Sequence, residues 1–311
     1  MKEYGIGVDL GGTTCKLGLF RTDGELVEKW EIPTVKDNEG EKILPDIAAS
    51  IKEKLSEHSL DISEIHGIGI GVPGAVRPDG VVNRCVNLDW GVKPVEKELF
   101  DLTGVIVKAA NDANLAALGE AWLGAGRGTH SAVMITLGTG IGGGIIVDGK
   151  ILTGYNGSGG EIGHIVVNHS ETRKCNCGNC GCIEQYASAT GIAYMASQAL
   201  LASDKPSVLR DIEEPTAKDV FDAAKAKDEL ALEVAADVCD YLGRLCAIIA
   251  NTVNPEMIII GGGVSYAGSI LLDMLHPAFS KDVFHAAAET KIVLAELANN
   301  AGIYGGVRLI L

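Results

Sequence analysis

The sequence has no apolar run long enough to span a membrane. It shows no hydrophobic core of a secretion signal, because Asp9 interrupts the only candidate stretch in MKEYGIGVDLGG. Aromatic residues are scarce, at 5%, and the 47% of hydrophobic residues is carried mainly by Leu, Ile, Val and Ala. That balance describes an ordinary packed interior and excludes a disordered chain. Basic residues are outnumbered, 26 against 41 acidic, for a formal charge of −15. A surface of that sign disfavours nucleic acid and anionic membranes as partners. There is no Walker-type G-x-x-x-x-G-K-[ST] loop, no linker and no low-complexity tract. At 311 residues the chain is long enough for two domains, each with its own core.

Glycine and cysteine, by contrast, are plentiful and clustered. The 40 glycines gather in loops beside apolar runs, where close approach of backbone to a ligand is their usual purpose. The stretch from Gly157 to Glu184 carries the densest chemistry: Glu161 and His164 framed by glycines, then Cys175, Cys177, Cys180 and Cys182, then Glu184. A histidine followed at short range by clustered cysteines is the ligand set of a tetrahedral zinc site. Thiols at metal spacing with no export signal point to the cytoplasm. Cys15, Cys85, Cys239 and Cys246 read as small buried hydrophobes.

Taken in order, residues 4–10 predict a strand that GGTT turns, with CKLGLF returning and Asp23-Gly24 leading into a third strand. The pattern recurs at AVMITL, GTGIGGG, IIV and Asp148-Gly149. Two copies of one strand–glycine loop–strand unit predict two similar α/β lobes with a cleft between them. Gly138, Gly140 and Gly143 match the dinucleotide fingerprint, but that motif needs a helix after the loop, and the β-rich IIVDGKI follows instead. A glycine hairpin offering backbone N–H groups to phosphate fits both copies. Lys16, beside the first loop, is either a solvated strand residue or a phosphate contact. A strand ends at Asn111-Asp112 and a helix follows. Asp112 is therefore either an N-cap or a carboxylate presented at the ligand-binding edge of the sheet. The apolar repeat over 228–255 predicts a long core or subunit-contact helix, and MIIIGGGVS a strand feeding a third glycine turn.

DLGGTTCKLGLF, AANDANLAALGE, LGTGIGGGI, GGEIGH and CNCGNCGCIE, in that order and over nearly the whole chain, resemble the ROK family (repressor, open reading frame, kinase). Within it, VNLDW, NDANLAALGEAWLGAG and SATGI resemble bacterial glucokinases of the Gram-positive type. The resemblance implies a two-lobed actin/hexokinase/Hsp70-like ATPase fold with duplicated β-hairpin phosphate loops and an inserted zinc-binding loop. It implies a small lobe of residues 1–112 plus about 300–311, and a larger lobe of 113–299 holding the zinc loop 164–184. Asp112 would take the proton of a sugar 6-hydroxyl, with Asn87, Asn111, Glu161, His164 and Glu184 on the other hydroxyls. Asp9 would hold Mg²⁺, with Gly11, Gly12, Thr13 and Lys16 on phosphate from one side and Thr139 and Gly140 from the other. Gly262 and Gly263 would lie near the adenosine of ATP, and zinc on His164, Cys175, Cys177 and Cys182. One departure stands: Cys180 occupies a variable position, so spacing also permits Cys177 and Cys180 as a chelating pair.

The activity this implies is ATP-dependent phosphorylation of glucose to glucose 6-phosphate by a homo-oligomer, a dimer or tetramer. An N-acetylmannosamine or N-acetylglucosamine kinase is the alternative on the same scaffold, and a fructokinase a more distant one. A sugar-responsive repressor would need a helix-turn-helix ahead of the first phosphate loop, which begins here at Asp9. An actin-like or chaperone-like ATPase would not need GGEIGH and the cysteine cluster.

Overall fold

The computed structural model describes residues 2–311, which are built on two five-stranded sheets. In the first, β1 (Tyr4–Leu10), β2 (Thr14–Arg21) and β3 (Leu26–Pro33) form an antiparallel meander. β4 (Ile65–Val72) and β5 (Val107–Asn111) then add in parallel beside β1. The order is β3-β2-β1-β4-β5. The second contains β6 (Ala132–Leu137), β7 (Ile141–Val147), β8 (Lys150–Ile151), β9 (Met257–Gly261) and β10 (Lys291–Leu294), in the order β10-β9-β6-β7-β8. β9 lies parallel to both β6 and β10. Taken from the hairpin edge inward, the two orders are the same, so the duplication of the glycine loops is a duplication of whole sheets. Interior strands such as β4 and β9 are buried along nearly their full length and read as continuous apolar runs, whereas edge strand β3 alternates half-buried and exposed.

Eight principal helices accompany the sheets: α1 (Ile43–Glu57), α2 (Val95–Thr103), α3 (Asp112–Leu123), α4 (Ala189–Ala202), α5 (Ala217–Lys225), α6 (Glu229–Val253), α7 (Ser269–Asp282) and α8 (Ala301–Ile310). α1 buries Ile43, Ile47, Ile51 and Leu55, one face at helical spacing, with Pro45 harmlessly in its first turn. α5 opens with the capping box of Thr216 and Asp219 that its sequence predicts. α6 buries Leu230, Val234, Val238, Leu245 and Ile249. No helix among the described residues is long and apolar enough to cross a membrane.

The chain forms two compact units. One comprises the residues up to His130 with Gly144–Gly160 and Glu296–Leu311; the other comprises Ser131–Gly143 and Glu161–Ala295. This division differs from one at 112/113, because α3 packs closely on α8 inside the first unit. A Cβ on Gly305 would lie 1.8 Å from the Leu115 carbonyl oxygen, and one on Gly69 of β4 would lie 1.8 Å from the Gly306 carbonyl oxygen. Backbone rests on backbone at both points, so there is no flexible side chain to yield. Gly305→Ala is expected to cost about 3 kcal/mol or more, read as a lowered midpoint in urea with an unchanged m-value.

Candidate active site and metal centre

In the first unit, β5 runs straight into α3, and the first turn of that helix exposes four backbone N–H groups. Asn111 is the cap: its Oδ1 accepts from the Ala113 and Asn114 N–H groups at 2.9 and 3.3 Å, and its Nδ2 donates to the Gly74 carbonyl at 3.3 Å. The choice left open for Asp112 is thereby narrowed. Asp112 is the first helical residue, with Oδ1 accepting from its neighbour Ala113 at 2.8 Å. Burial, reinforced by the negative charge of nearby Asp9, pushes its carboxyl up to about 6. A half-buried carboxylate shifted toward neutrality at the C-terminal end of a sheet strand has the properties of a general base.

Asp9 stands opposite Lys16 in the β1–β2 ladder. Burial raises the Asp9 carboxyl, and Lys16 lowers it by a smaller amount. The Lys16 ammonium also reaches the Asn299 carbonyl, at 3.4 Å. Between the two strands, Gly11 N–H donates to the Thr14 carbonyl at 3.0 Å, and Thr34 fixes the loop from outside by donating to the Gly11 carbonyl at 2.8 Å. Gly12 and Thr13 form the tip, with Gly12 close to Asn87, which is exposed on a short helical turn, Val86–Leu88.

In the second unit the corresponding loop is closed by Gly138 N–H donating to the Gly140 carbonyl at 3.0 Å, and Thr139 is exposed at its tip. Gly262 adopts φ +81° beside the Leu137 carbonyl, a conformation and a clearance that only glycine meets without strain. Gly263, the next residue, lines a cavity of about 470 Å³ together with Thr216, Lys218, Phe221, Val264 and Tyr266.

The loop carrying the candidate metal ligands, here the metal loop, lies in the same unit. The ligand atoms of His164, Cys175, Cys177 and Cys182 all fall within 4.8 Å of one another. Cys175 Sγ is 3.7 Å from His164 Nδ1, and Cys177 Sγ is 3.6 Å from Cys182 Sγ. Tetrahedral zinc with its usual bond lengths places neighbouring ligand atoms about 3.5–3.8 Å apart, so the four residues fit that ion. Burial pushes the Cys182 thiol up to about 12, so a cation is needed to hold it as thiolate. Cys180 is outside the cluster, with its sulfur against the Thr172 carbonyl at 3.5 Å. Since Nδ1 faces the cluster, Nε2 of His164 is free, 3.9 Å from Glu161 Oε2. Glu161 is exposed and Glu184 half-buried, the latter accepting from the Ile141 N–H at 2.9 Å.

The ROK family model matches residues 5–311. The chain belongs to the ROK family. A glucokinase of Halalkalibacterium halodurans is 45% identical to it over 97% of this chain and 93% of the relative. Among solved structures, a ROK family glucokinase from Streptomyces griseus in complex with glucose and AMPPNP superposes with a TM-score of 0.78, at 31% identity and 98% coverage of both chains. A ROK family transcriptional regulator superposes with a TM-score of 0.86 at 29% identity, covering 99% of this chain and 77% of that one. The ROK membership bears out the two-lobed actin/hexokinase-like fold class that the family resemblance implies.

Several residues that support the ROK motifs carry no sequence signal of their own. Gln185 is buried; its Oε1 accepts from Gly181 and Cys182 at 2.8 and 3.2 Å, and its Nε2 donates to the Arg173 carbonyl at 2.9 Å, closing the metal loop on itself. Tyr186 stacks on Tyr241 of α6 at 4.4 Å and donates to Glu171 at 2.9 Å, tying the same loop to the helical core. Glu120 is fully buried on α3 and accepts three backbone N–H groups. Nothing short of the fold distinguishes Gln185 and Tyr186 from ordinary polar residues, and although Glu120 closes the motif AANDANLAALGE, its burial is seen only in the fold.

Proposed function

We propose that this chain is an ATP-dependent glucokinase that transfers the γ-phosphoryl group of ATP to the 6-hydroxyl of glucose in the cytoplasm, as a homo-oligomer. The observation that carries the reading is the division of labour at the start of α3. Asn111 meets the capping requirement, so the carboxylate of Asp112, shifted up to about 6, is available to receive a proton. The glucokinases among its relatives supply the substrate class. Phosphoryl transfer asks mainly for positioning and charge stabilisation. Gly11, Gly12, Thr13, Lys16, Thr139 and Gly140 are the groups we assign to the phosphates. The half-buried Asp9 carboxylate is the one we assign to Mg²⁺, which offsets the cost of burying its charge. The cavity beside Gly262 and Gly263 suits the adenosine end. Asn87, Asn111, Asp112, Glu161, His164 and Glu184 are the groups we assign to the sugar hydroxyls.

His164, Cys175, Cys177 and Cys182 would hold zinc, which would supply order rather than chemistry; with Nδ1 of His164 on the ion, its tautomer would be fixed and Nε2 would be the nitrogen we assign to the sugar. Chelation is therefore expected to lower the thermal midpoint and to weaken glucose binding about tenfold or more, measured by calorimetric titration of the metal-free protein. Unchanged glucose affinity after verified zinc loss would contradict the assignment of His164. The activity itself is tested by a coupled assay of glucose, mannose, fructose, N-acetylglucosamine and N-acetylmannosamine with ATP and Mg²⁺. Glucose is expected to give the highest kcat/KM, and a higher value for an N-acetylated sugar would overturn that choice.

A further inference from the structure

The glycine loop at 138–141 is held almost entirely by the segment that leaves the metal loop. Three hydrogen bonds do this. The Gly138 carbonyl accepts from Ala189 N–H at 2.8 Å, the Thr139 carbonyl accepts from the Thr190 hydroxyl at 2.8 Å, and Ile141 N–H donates to Glu184 Oε2 at 2.9 Å. Ser188, fully buried, caps α4 through Gly191 N–H at 3.0 Å and braces Thr190 Oγ1, also at 3.0 Å. At its other end the segment is continuous with the ligand Cys182, and the second carboxylate oxygen of Glu184 lies 3.6 Å from the sulfur of Cys175. The opposite end of the metal loop presses on the same place, since a Cβ on Gly163, the residue before His164, would lie 2.1 Å from the Ile141 carbonyl oxygen. Both ends of the metal loop thus meet the phosphate-facing hairpin, one through the side chains of Glu184 and Thr190 and the other by backbone packing at Gly163.

We infer that metal binding and nucleotide binding are thermodynamically linked through this clamp, with Glu184 and Thr190 as the positioning residues that carry the linkage. The inference rests on reading the cluster as a zinc site and 138–140 as a phosphate loop. Loosening the metal loop releases residues 184–190, and the N–H groups of the hairpin then lose the fixed directions that make them an anion site. Linkage is reciprocal, so a nucleotide that orders the hairpin must also tighten the metal by the same factor. Glu184 then acts on phosphate as well as on sugar, through the Ile141 N–H and not by touching phosphate.

The test uses the zinc-loaded protein without sugar. Zinc affinity is measured by equilibrium competition with a chromophoric chelator, with and without saturating MgADP. MgADP is expected to tighten zinc about five- to tenfold, at the lower end of typical coupling, and zinc removal to weaken ADP binding by the same factor. Thr190→Val and Glu184→Ala are expected to bring the factor close to one. Glu184→Gln, which keeps an oxygen to accept from Ile141 N–H, should largely restore it. A wild-type zinc affinity indifferent to MgADP overturns the inference, as does a factor of the same size in wild type, Thr190→Val and Glu184→Ala. If MgADP binds and zinc is retained but the factor is one, only the linkage fails. If MgADP does not bind at all, the reading of the hairpin as a phosphate loop fails with it.

Discussion

Asp112→Asn is expected to lower kcat for glucose phosphorylation by roughly 10²–10⁴-fold, the usual contribution of a general base, while glucose still binds. The amide keeps the shape of the side chain and an oxygen for the Ala113 N–H, so the helix start is undisturbed. Asn111 continues to cap. What is lost is the ability to take a proton from the 6-hydroxyl as the phosphoryl group arrives. The pH profile gives an independent check. Burial and the charge of Asp9 raise this carboxyl to about 6, and a base must be deprotonated to act. The wild-type kcat/KM should therefore fall about tenfold per pH unit below an apparent pKa near 6, and that limb should vanish from the residual activity of Asp112→Asn. Stability moves the other way. The folded protein holds this proton more tightly than the unfolded chain does, so this group opposes folding increasingly as pH rises from about 3.8 to about 6. Removing it is expected to leave the thermal midpoint at pH 7.5 unchanged or slightly higher, which separates lost chemistry from lost structure. Near-normal turnover in the variant would remove Asp112 from the mechanism.

The elements that sequence made legible are those with strong local chemistry. The β1–β2 and β6–β7 hairpins announce themselves through glycine loops, the β2–β3 and β7–β8 turns through Asp-Gly, and α5 through its capping box. The order of strands within each sheet is a finding of the structure, because the repeated glycine loops fix only the hairpins and not what pairs beside them. Other features depend on distant contacts. β10 is a four-residue run, KIVL, with a weak turn signal before it, and it exists because β9 offers it a parallel edge. The place of α3 with the first unit follows from glycine contacts with α8, nearly two hundred positions away in the chain. Cys180 and Cys182 are two apart, and on a regular strand they would point the same way. Gly181 between them has φ +79° and breaks that alternation, so Cys180 pairs with the strand position of Lys174 and Cys182 with that of Val166. The sulfur of Cys182 therefore enters the metal cluster while that of Cys180 turns to the Thr172 carbonyl. Spacing alone could not distinguish them.

Glu120→Ala is expected to destabilise the protein by about 3–5 kcal/mol, the range for breaking a buried, fully partnered charge. In sequence Glu120 is one acidic residue at the end of AANDANLAALGE, and nothing in the pattern tells whether it is buried. In the structure it is fully buried. Its Oε2 accepts from Ala125 N–H at 2.9 Å and Glu296 N–H at 3.1 Å, and its Oε1 accepts from Leu297 N–H at 2.7 Å. No lysine or arginine is paired with it among the described residues. A buried carboxylate is tolerable under those conditions only because the N–H dipoles supply the positive potential that a cation otherwise would. The three donors come from the loop ending α3 and from the stretch that leads into α8, so one side chain ties both to the helix that begins with Asp112. Alanine leaves three N–H groups without acceptors and opens a cavity at the same point. Glu120→Gln keeps an oxygen but converts one acceptor into a donor facing N–H groups, so it should recover only part of the loss. Urea unfolding at pH 7.5 reads both variants: alanine is expected to shift the midpoint most, glutamine less, and equal stability of Glu120→Ala and wild type would show that water replaces the carboxylate without cost.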